Sequence, residues 1–297
     1  FYDEPFADSS ALPTFRVCEL ARETVTVALS GDGGDENFIG YRRYRWHAYE
    51  EFVRQRLPQK IRGPLFGFLG SAYPKLDWAP KVLRAKTTFQ ALARDSIDAY
   101  LHSVSILDAK TRSKMFSGDL RSTLAGYTSD DFYRELASDA PVNDPLQLAQ
   151  YLDFKTYLPG DILTKVDRAS MAHSLEVRVP ILDHTFVEWV ARIPTDQKLA
   201  GREGKICFKK ALEPYLSDEI LYRDKMGFAV PIERWFRREL KQLVRERLTE
   251  GALAGTGFFD MQTIERLISE HQSGVREHSA ALWALLMFEG SLERLAR

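Results

Sequence analysis

The chain has 297 residues, of which 44% are hydrophobic and 28% charged, enough apolar material for one large core or two closely packed smaller ones. Its 41 Lys and Arg residues balance 42 Asp and Glu residues, so no field of the whole molecule draws it to nucleic acid or to an anionic membrane, and any anion site must be local. The sequence has no run of about 18 apolar residues and no signal peptide, so we expect a cytoplasmic protein. Its two cysteines, Cys18 and Cys207, lie far apart and form no C-x-x-C motif, so we expect neither a disulfide nor a zinc site.

The first predicted elements are a helix, a buried strand and a glycine-rich loop. Apolar residues follow a helical period over residues 11–22, and residues 25–29 form a short β-branched run. The loop comes next, and residues 37–49 are rich in aromatic side chains and compatible with a helix. In open α/β sheets, ligands bind where strand ends and helix amino termini face a crevice. The loop therefore occupies the place of a nucleotide site.

The middle of the chain is predicted to be a helical insertion. Residues 50–140 are rich in Arg, Leu, Phe and Tyr and are interrupted by prolines, and a further Pro pair around Asn-Asp marks a break before a second segment. We therefore divide the fragment, 1–297, into a strand-loop-helix part (1–49), an insertion (50–145) and a helical part that completes the crevice (146–297).

The second segment is predicted to be mostly helical, with a short extended piece at residues 177–181. Asp183 is a suitable amino-terminal cap for the helix that follows it. The other predicted helices cover residues 146–157, 161–173, 204–215, 231–248, 261–271 and 279–295.

The loop from Ser30 to Glu36 is the strongest candidate site. It combines three glycines with the carboxylates of Asp32, Asp35 and Glu36. Glycine lets the backbone approach a phosphate, and carboxylates supply hard oxygen ligands or proton acceptors. Because carboxylate and phosphate repel each other, an acidic loop beside a polyphosphate implies a magnesium ion between them. A solvated acidic turn is the plain alternative, and the spacing of a calcium loop is not met.

Three further motifs carry charge. Residues 41–47 mix cations with aromatic rings, as single-stranded nucleic-acid sites do. The balanced charge of the chain instead favours a partly buried helix whose Arg side chains pair with the acidic loop or a ligand phosphate.

Residues 165–171 and 176–180 indicate either a buried acid–Arg network or an Arg clamp for carboxylate or phosphate. Lys225 precedes a glycine turn and is either exposed or, if the turn reaches the loop, able to stabilise charge on phosphate or a tetrahedral intermediate.

Four motifs, in order, resemble the synthetase domain of the glutamine-hydrolysing asparagine synthetases. They are residues 3–8, residues 30–36 with Gly40-Tyr41, residues 165–171 with 178–183, and residues 223–228. The resemblance covers most of the chain and is weakest over residues 50–140. Asn37 and residues 40–45 are also similar to a branch of amidotransferases associated with exosortase and exopolysaccharide gene clusters.

This resemblance implies a fold and a reaction. The fold is α/β, a partial ATP-pyrophosphatase (adenine nucleotide alpha hydrolase-like) domain with parallel strands and a large, mostly helical remainder. The implied cofactors are ATP and Mg²⁺. In the implied reaction the side-chain carboxylate of aspartate attacks the α-phosphate of ATP, pyrophosphate leaves, and glutamine-derived ammonia displaces AMP to give asparagine.

The resemblance also implies roles for single residues. Asp35 matches a magnesium-ligand position, and Lys225 matches the catalytic lysine that stabilises charge on the adenylate or tetrahedral intermediate. Asp32 stands where many members carry Glu, a position linked to the incoming ammonia or the intermediate, and its shorter side chain leaves the acceptor open. Nucleotide contacts are implied for loop residues Ser30, Gly31, Gly33 and Gly34.

Two parts of the family pattern are missing from the sequence. They are the pyrophosphate loop, Ser-Gly-Gly-x-Asp-Ser, and the glutaminase domain with its catalytic Cys, and we expect both upstream of Phe1. We therefore expect the fragment by itself to bind ATP weakly and to form no amide. We also expect an exposed sheet edge or apolar face and poor solubility.

The expected partners are small molecules, namely aspartate or another carboxylate together with glutamine-derived ammonia. We expect neither nucleic acid nor a membrane as a partner, and a homodimer stays possible. The first alternative function is a related amidotransferase that acts on another carboxylate, for example a sugar acid in exopolysaccharide biosynthesis. The second is a non-enzymatic interaction module, against which the joint presence of Asp32, Asp35 and Lys225 speaks.

Overall fold

The computed structural model describes residues 1–73, 85–201, 203–223, 227 and 230–296. The chain forms two compact units, each built from separate segments. The first unit consists of Phe1–Pro13, Val104–Asp131 and Ala229–Arg297, and the second of Thr14–Ser103 and Phe132–Phe228. The predicted division at residues 49 and 145 concerns the roles of segments and stays a prediction.

Most of the described chain is helical, and within it no helix is long and apolar enough to cross a membrane. A π-helical turn at Leu158–Leu163 and a 3-10 turn at Pro180–Leu182 accompany the α-helices. The α-helices, α1 to α20 in chain order, are Ala11–Arg22, Gly34–Asn37, Arg42–Arg56, Gln59–Ala72, Lys86–Leu92, Ser96–Val104, Ala109–Met115, Gly118–Thr123, Ser129–Ser138, Pro145–Lys155, Thr164–Met171, His184–Ala191, Thr195–Lys198, Ile206–Leu212, Asp218–Leu221, Ile232–Arg237, Lys241–Glu250, Ala252–Gly255, Met261–Gln272 and Ser279–Leu295.

The strands form two small sheets. Strand β1 (Val27–Leu29) pairs in parallel with β2 (Glu176–Arg178), and β3 (Leu199–Ala200) pairs antiparallel with β4 (Glu203–Gly204). In the parallel pair Ala28 lies beside Val177. A parallel pair requires a long crossover connection, and here that connection carries helices α2 to α11. The prediction of parallel strands with a large, mostly helical remainder is confirmed.

The prediction that the first strand is buried is wrong. Leu29 is 74% exposed, and Val27 is exposed as well. Within the described residues β1 pairs with β2 alone, so the backbone groups along its other edge have no strand partner there. The expected exposed apolar face of the sheet is thereby confirmed.

The covered side of the parallel pair packs on α1. The predicted helix at residues 11–22 is confirmed, and it buries Cys18 against Ala169 and Leu175. Ala28 and Val177, the paired residues at the centre of the two strands, pack against the same cluster. This small core holds the start of the candidate loop.

Several predicted helices of the second unit begin or end differently. The helix predicted at residues 146–157 is α10, which Asp144 caps by accepting the N–H groups of Leu146 and Gln147 at 3.0 and 2.9 Å. The helix predicted at 161–173 starts as the π-helical turn and continues as α11. The extended piece predicted at 177–181 stops at Arg178 and ends in the 3-10 turn.

The first unit has an apolar core of its own. Helices α16, α17, α19 and α20 bury Phe236, Val244, Leu267 and Leu282 in one cluster. The helices predicted at 261–271 and 279–295 are confirmed as α19 and α20, whereas the one predicted at 231–248 is interrupted between α16 and α17.

Candidate functional site

The candidate loop begins where the parallel strands end. The Ser30 N–H donates to the carbonyl of Arg178 at 2.8 Å, which extends the pairing by one residue. The Ser30 hydroxyl then donates to the Asp32 carboxylate, and the Asp32 N–H donates to Ser30 Oγ at 3.3 Å. Two of the predicted site residues are therefore tied to each other at the end of β1.

Gly33 gives the loop its turn. Its φ of +82° is in the left-handed region, and a Cβ at this position would overlap the side chain of Leu182. Gly34 follows as the first residue of α2, with its N–H donating to the Gly31 carbonyl at 3.3 Å. A Cβ at Gly31, by contrast, would meet no atom within 4 Å. Position 33 therefore requires glycine because of its left-handed backbone, whereas the space around Gly31 is free of other atoms of the described residues.

Asp35 forms an ion pair that the sequence did not predict. The Lys205 ammonium lies 3.0 Å from Asp35 Oδ1, and both side chains are partly exposed. Lys205 itself has a left-handed φ of +61°, and its N–H donates to the Phe38 carbonyl at 2.9 Å. A Cβ at Gly40 would overlap both Asp35 and Lys205. The site thus includes a cation that is distant from the loop in sequence. No motif in the sequence predicts that Lys205 lies beside Asp35.

Glu36 differs from the other two carboxylates of the loop because it is completely buried. The Tyr41 hydroxyl donates to Glu36 Oε1 at 2.7 Å, while Oε2 has no hydrogen-bond partner among the described residues. Burial raises the pKa of the Glu36 carboxyl and also that of the Tyr41 phenol. The sequence pattern gave Asp32, Asp35 and Glu36 the same possible roles, but the Glu36 side chain is buried and does not lie on the open surface of the loop.

Side-chain amides fix the backbone that follows the loop. Gln150 Nε2 of α10 donates to the carbonyls of Glu36 and Asn37 at 2.6 and 3.0 Å. Asn37 Nδ2 donates in turn to the Ile181 carbonyl at 2.9 Å. Helix α10 and the 3-10 turn therefore hold the loop in place through groups that carry no charge.

Arg43, one of three arginines in the aromatic and cationic segment at residues 41–47, pairs with an acid outside the loop. Arg43 Nη2 lies 2.7 Å from the buried carboxylate of Asp153, and Arg43 Nε donates to the Tyr100 hydroxyl at 3.1 Å. The rings of Tyr41 and Tyr157 lie 3.8 and 4.4 Å from the guanidinium carbon. The expected pairing with the acidic loop is therefore wrong for Arg43, because Asp153 of α10 supplies a buried acid at hydrogen-bond distance.

The charged motif at residues 165–180 does not form a buried acid–Arg network. Asp167 and Arg168 lie 3.9 Å apart on an exposed side of α11, and Glu176 and Arg178 form an exposed pair at 2.7 Å. Alternate residues of strand β2 point to the same face, and neighbouring residues of helix α11 lie on its outer side. Both pairs of side chains therefore point away from the protein. Lys165 is the buried charge of this motif.

Lys225 lies outside the described residues, as do Asp224, Met226 and Phe228 of the same motif. Its predicted role stays a prediction.

The residues of the loop fit a metal ion only together with a phosphate. No group of three His, Cys, Asp or Glu side chains suited to a metal occurs in the described part of the chain. Magnesium, however, is usually held by one or two carboxylates plus oxygens of substrate phosphates and water. The partly exposed side chain of Asp35 can supply one such carboxylate, and the open backbone of Gly31 belongs to the same loop.

A parallel strand pair that ends in a glycine turn with a lysine–carboxylate pair defines an α/β protein whose site lies at the strand ends. The chain belongs to the asparagine synthase family, whose model matches residues 1–293. The predicted family resemblance is confirmed.

Several curated proteins are similar over nearly the whole chain. A Mycobacterium bovis protein named "Putative asparagine synthetase" (glutamine-hydrolyzing) is 33% identical over 295 residues, which cover 97% of this chain and 42% of that protein. Asparagine synthetase 1 of Bacillus subtilis is 28% identical, with 97% and 43% covered. Amidase chyE of Penicillium rubens is 24% identical, with 90% and 41% covered. The chain thus spans less than half the length of these relatives.

Proposed function

We propose that this chain is the ATP-using part of an enzyme that converts a carboxylate into an amide. The carboxylate oxygen bonds to the α-phosphorus of ATP as pyrophosphate leaves, and ammonia then attacks the acyl carbon as AMP leaves. Membership of the asparagine synthase family supports this reaction. We propose aspartate as the acceptor, asparagine as the product and glutamine as the source of ammonia, in keeping with the names of the bacterial relatives.

The glycine loop is proposed to bind the nucleotide. Open space above Gly31 and the left-handed turn at Gly33 allow backbone N–H groups to approach phosphate oxygens. Asp35 would hold Mg²⁺ together with those oxygens, and the ion offsets charge on the departing pyrophosphate when it is bound. Asp32 is proposed to act at the acyl centre and Lys225 to stabilise charge there. The loop residues proposed to contact the nucleotide are Ser30, Gly31, Gly33 and Gly34.

Lys205 is the additional residue that we propose for this site. Its left-handed backbone costs roughly 1–2 kcal/mol for a residue other than glycine. Strained backbone of this kind is retained where the surrounding structure and the function require it. The ammonium beside Asp35 supplies positive charge that an anionic phosphate group needs. The Asp35–Lys205 pair at the glycine loop is the observation that carries the proposal.

Pyrophosphate release by the full-length protein tests the proposal. With ATP, Mg²⁺ and aspartate present, we expect release that depends on aspartate. Lys205→Met should lower kcat/KM for ATP by about 100-fold, the usual cost of losing one group that stabilises transition-state charge. Lys210→Met is the matched control, because Lys210 is an exposed lysine of the adjoining helix α14 and should retain activity.

Two results would contradict the proposal. One is the absence of pyrophosphate release with every carboxylate tested, which would favour the non-enzymatic interaction module. The other is an equal loss in Lys205→Met and Lys210→Met, which would remove Lys205 from the site.

A second candidate is an amidotransferase that acts on another carboxylate, such as a sugar acid. The shorter Asp32 and the similarity to a fungal amidase favour testing it. Release that depends on a sugar acid and not on aspartate would select this candidate while keeping the same ATP chemistry.

A further inference from the structure

Helix α4 (Gln59–Ala72) carries an exposed face that is entirely apolar. Ile61, Leu65 and Phe68 recur at helical spacing and are all exposed, Phe68 by 70%. Pro64 and Ala72 are exposed on the same side. A surface helix normally turns such a stripe toward the core.

The opposite side of α4 is the one that packs on the protein. The guanidinium of Arg62 is buried and donates to the carbonyls of Leu92, at 2.6 Å, and Arg94. Gly70 lies close against Gln90 of α5. The inner side of α4 thus carries Arg62, which satisfies carbonyl groups at the end of α5, and Phe66, whose ring stacks on that of Phe89. Ile61, Leu65 and Phe68 lie on the outer side. Single exposed apolar residues need no explanation, but a whole exposed face marks an interaction site.

Helix α3 (Arg42–Arg56), which precedes α4, exposes a stripe of aromatic rings and cations. Trp46 and Phe52 are exposed, with Tyr49 between them on the same stripe. The Arg42 guanidinium lies 5.8 Å from the Trp46 ring, and that of Arg56 lies 3.2 Å from the Phe52 ring. Aromatic rings beside cations are enriched where proteins meet the headgroup layer of a membrane.

The exposed charges of these two helices are all positive. Both acids of the segment, Glu50 and Glu51, are paired with Arg54, at 3.1 and 2.5 Å. The exposed charges that remain are those of Arg42, Arg56 and Lys60. Since the whole chain has a net charge of −1, this is a local positive surface and not a general property of the molecule.

We propose that α3 and α4 form a docking surface for an anionic lipid bilayer. The apolar face of α4 would enter the boundary between headgroups and acyl chains, and the cations would contact lipid phosphates. A second copy of the chain fits less well, because a two-fold interface would bring this positive surface against the same positive surface of the other copy. Single-stranded nucleic acid fits less well too, because it could stack on the aromatic rings of α3 but would leave the aliphatic side chains of Ile61 and Leu65 on α4 uncovered.

Vesicle flotation with the purified full chain tests this proposal. The chain should float with vesicles of equimolar phosphatidylglycerol and phosphatidylcholine and remain behind with phosphatidylcholine alone. Added salt should release it, because screening weakens the attraction between the cations and the lipid phosphates. Leu65→Asp should lower the ratio of bound to free protein by about tenfold or more.

The matched control for Leu65→Asp is Leu243→Asp, since both leucines are 49% exposed and Leu243 lies on α17 of the first unit. For the charge, Lys60→Glu is compared with Lys241→Glu, another exposed lysine near a helix start. Lys60→Glu should lower the bound ratio by about tenfold on anionic vesicles. Circular dichroism checks that each variant is folded, and the lysine pair provides the test if Leu65→Asp does not fold.

Several outcomes would overturn the proposal. They are equal binding to both vesicle types, no binding to either, or equal losses in the test and control variants. Concentration-dependent dimers that Leu65→Asp abolishes, without vesicle binding, would instead identify the face as a self-interface. Retardation of a single-stranded oligonucleotide without vesicle binding would identify it as a nucleic-acid site.

Discussion

The core of the first unit and the glycine loop of the second are held in place by different forces. In the first unit, Phe236, Leu267 and Leu282 are fully or almost fully buried among other apolar side chains. In the second, β1 is partly exposed, and the loop after it is fixed by Gln150 and the Asp35–Lys205 pair. Non-directional apolar contact thus stabilises one region, and directional polar contact stabilises the other.

Polar contacts fix the loop itself, and the buried side chains of Phe38 and Ile39 follow directly after it. Hydrogen bonds to backbone carbonyls specify position, whereas burial of apolar area mainly supplies free energy. Mutations of the same chemical type should therefore have unequal effects in the two regions.

The largest expected effect is the loss of a leucine from the first unit. Leu282→Ala should lower the free energy of unfolding by about 2–5 kcal/mol, because it leaves a cavity in a closed apolar cluster. Leu29→Ala, at the 74% exposed position on β1, should change it by less than about 0.5 kcal/mol. Urea denaturation measures both values, and similar losses at the two positions would contradict the contrast between the regions.

The next effect concerns pH and His47 of the second unit. Burial is the main reason that the pKa of His47 is lowered from its ordinary value of 6.5 to about 4. Between pH 6.5 and about 4 the unfolded chain therefore binds more protons than the folded one, and the free energy of unfolding falls as the pH falls. The loss at the acid end of this range should be on the order of 3 kcal/mol.

His47→Gln isolates that contribution from the acids that also titrate in this range. The variant should show a flatter dependence of unfolding free energy on pH than the native protein does. His184→Gln, at an exposed histidine, is the control and should keep the native slope. Identical slopes in all three proteins would show that His47 is not held neutral by burial.

The smallest of the three effects distinguishes two glycines of the same loop. Gly33→Ala should cost about 2 kcal/mol, because a left-handed residue acquires a Cβ that overlaps Leu182. Gly31→Ala should be nearly neutral for stability, since its Cβ would meet open space. Thermal or urea unfolding checks the pair.

The double variant Gly33→Ala with Leu182→Ala separates overlap from backbone strain. If overlap contributes, the coupling energy between the two substitutions should be favourable by about 1 kcal/mol. Additive costs would show that the left-handed φ of Gly33 alone makes glycine necessary.

Local sequence pattern was sufficient for many elements. The helical periods of α1, α19 and α20 were recognised with bounds close to those in the structure, and Asp183 caps α12 as predicted. The strand before the glycine loop was also recognised, although it is shorter than predicted and not buried. These features depend on neighbours within one or two turns of chain, which a sequence displays directly.

Long-range pairing could not be predicted in the same way. The acidic loop was expected to attract the cations of the segment beside it, but Arg43 pairs with Asp153 and the loop with Lys205. The side of α4 that faces solvent was not predictable either. Ile61, Leu65 and Phe68 have the same helical spacing whether their face is turned toward the core or toward solvent.

By itself the sequence determined the family, the helical periods and the position of a glycine and carboxylate loop after a strand, because these are encoded in residues close together along the chain. Only the tertiary structure decided which charges meet. Lys205 reaches Asp35, Glu36 is buried, and α4 turns its apolar face outward, because each outcome depends on which distant segments pack around the residue.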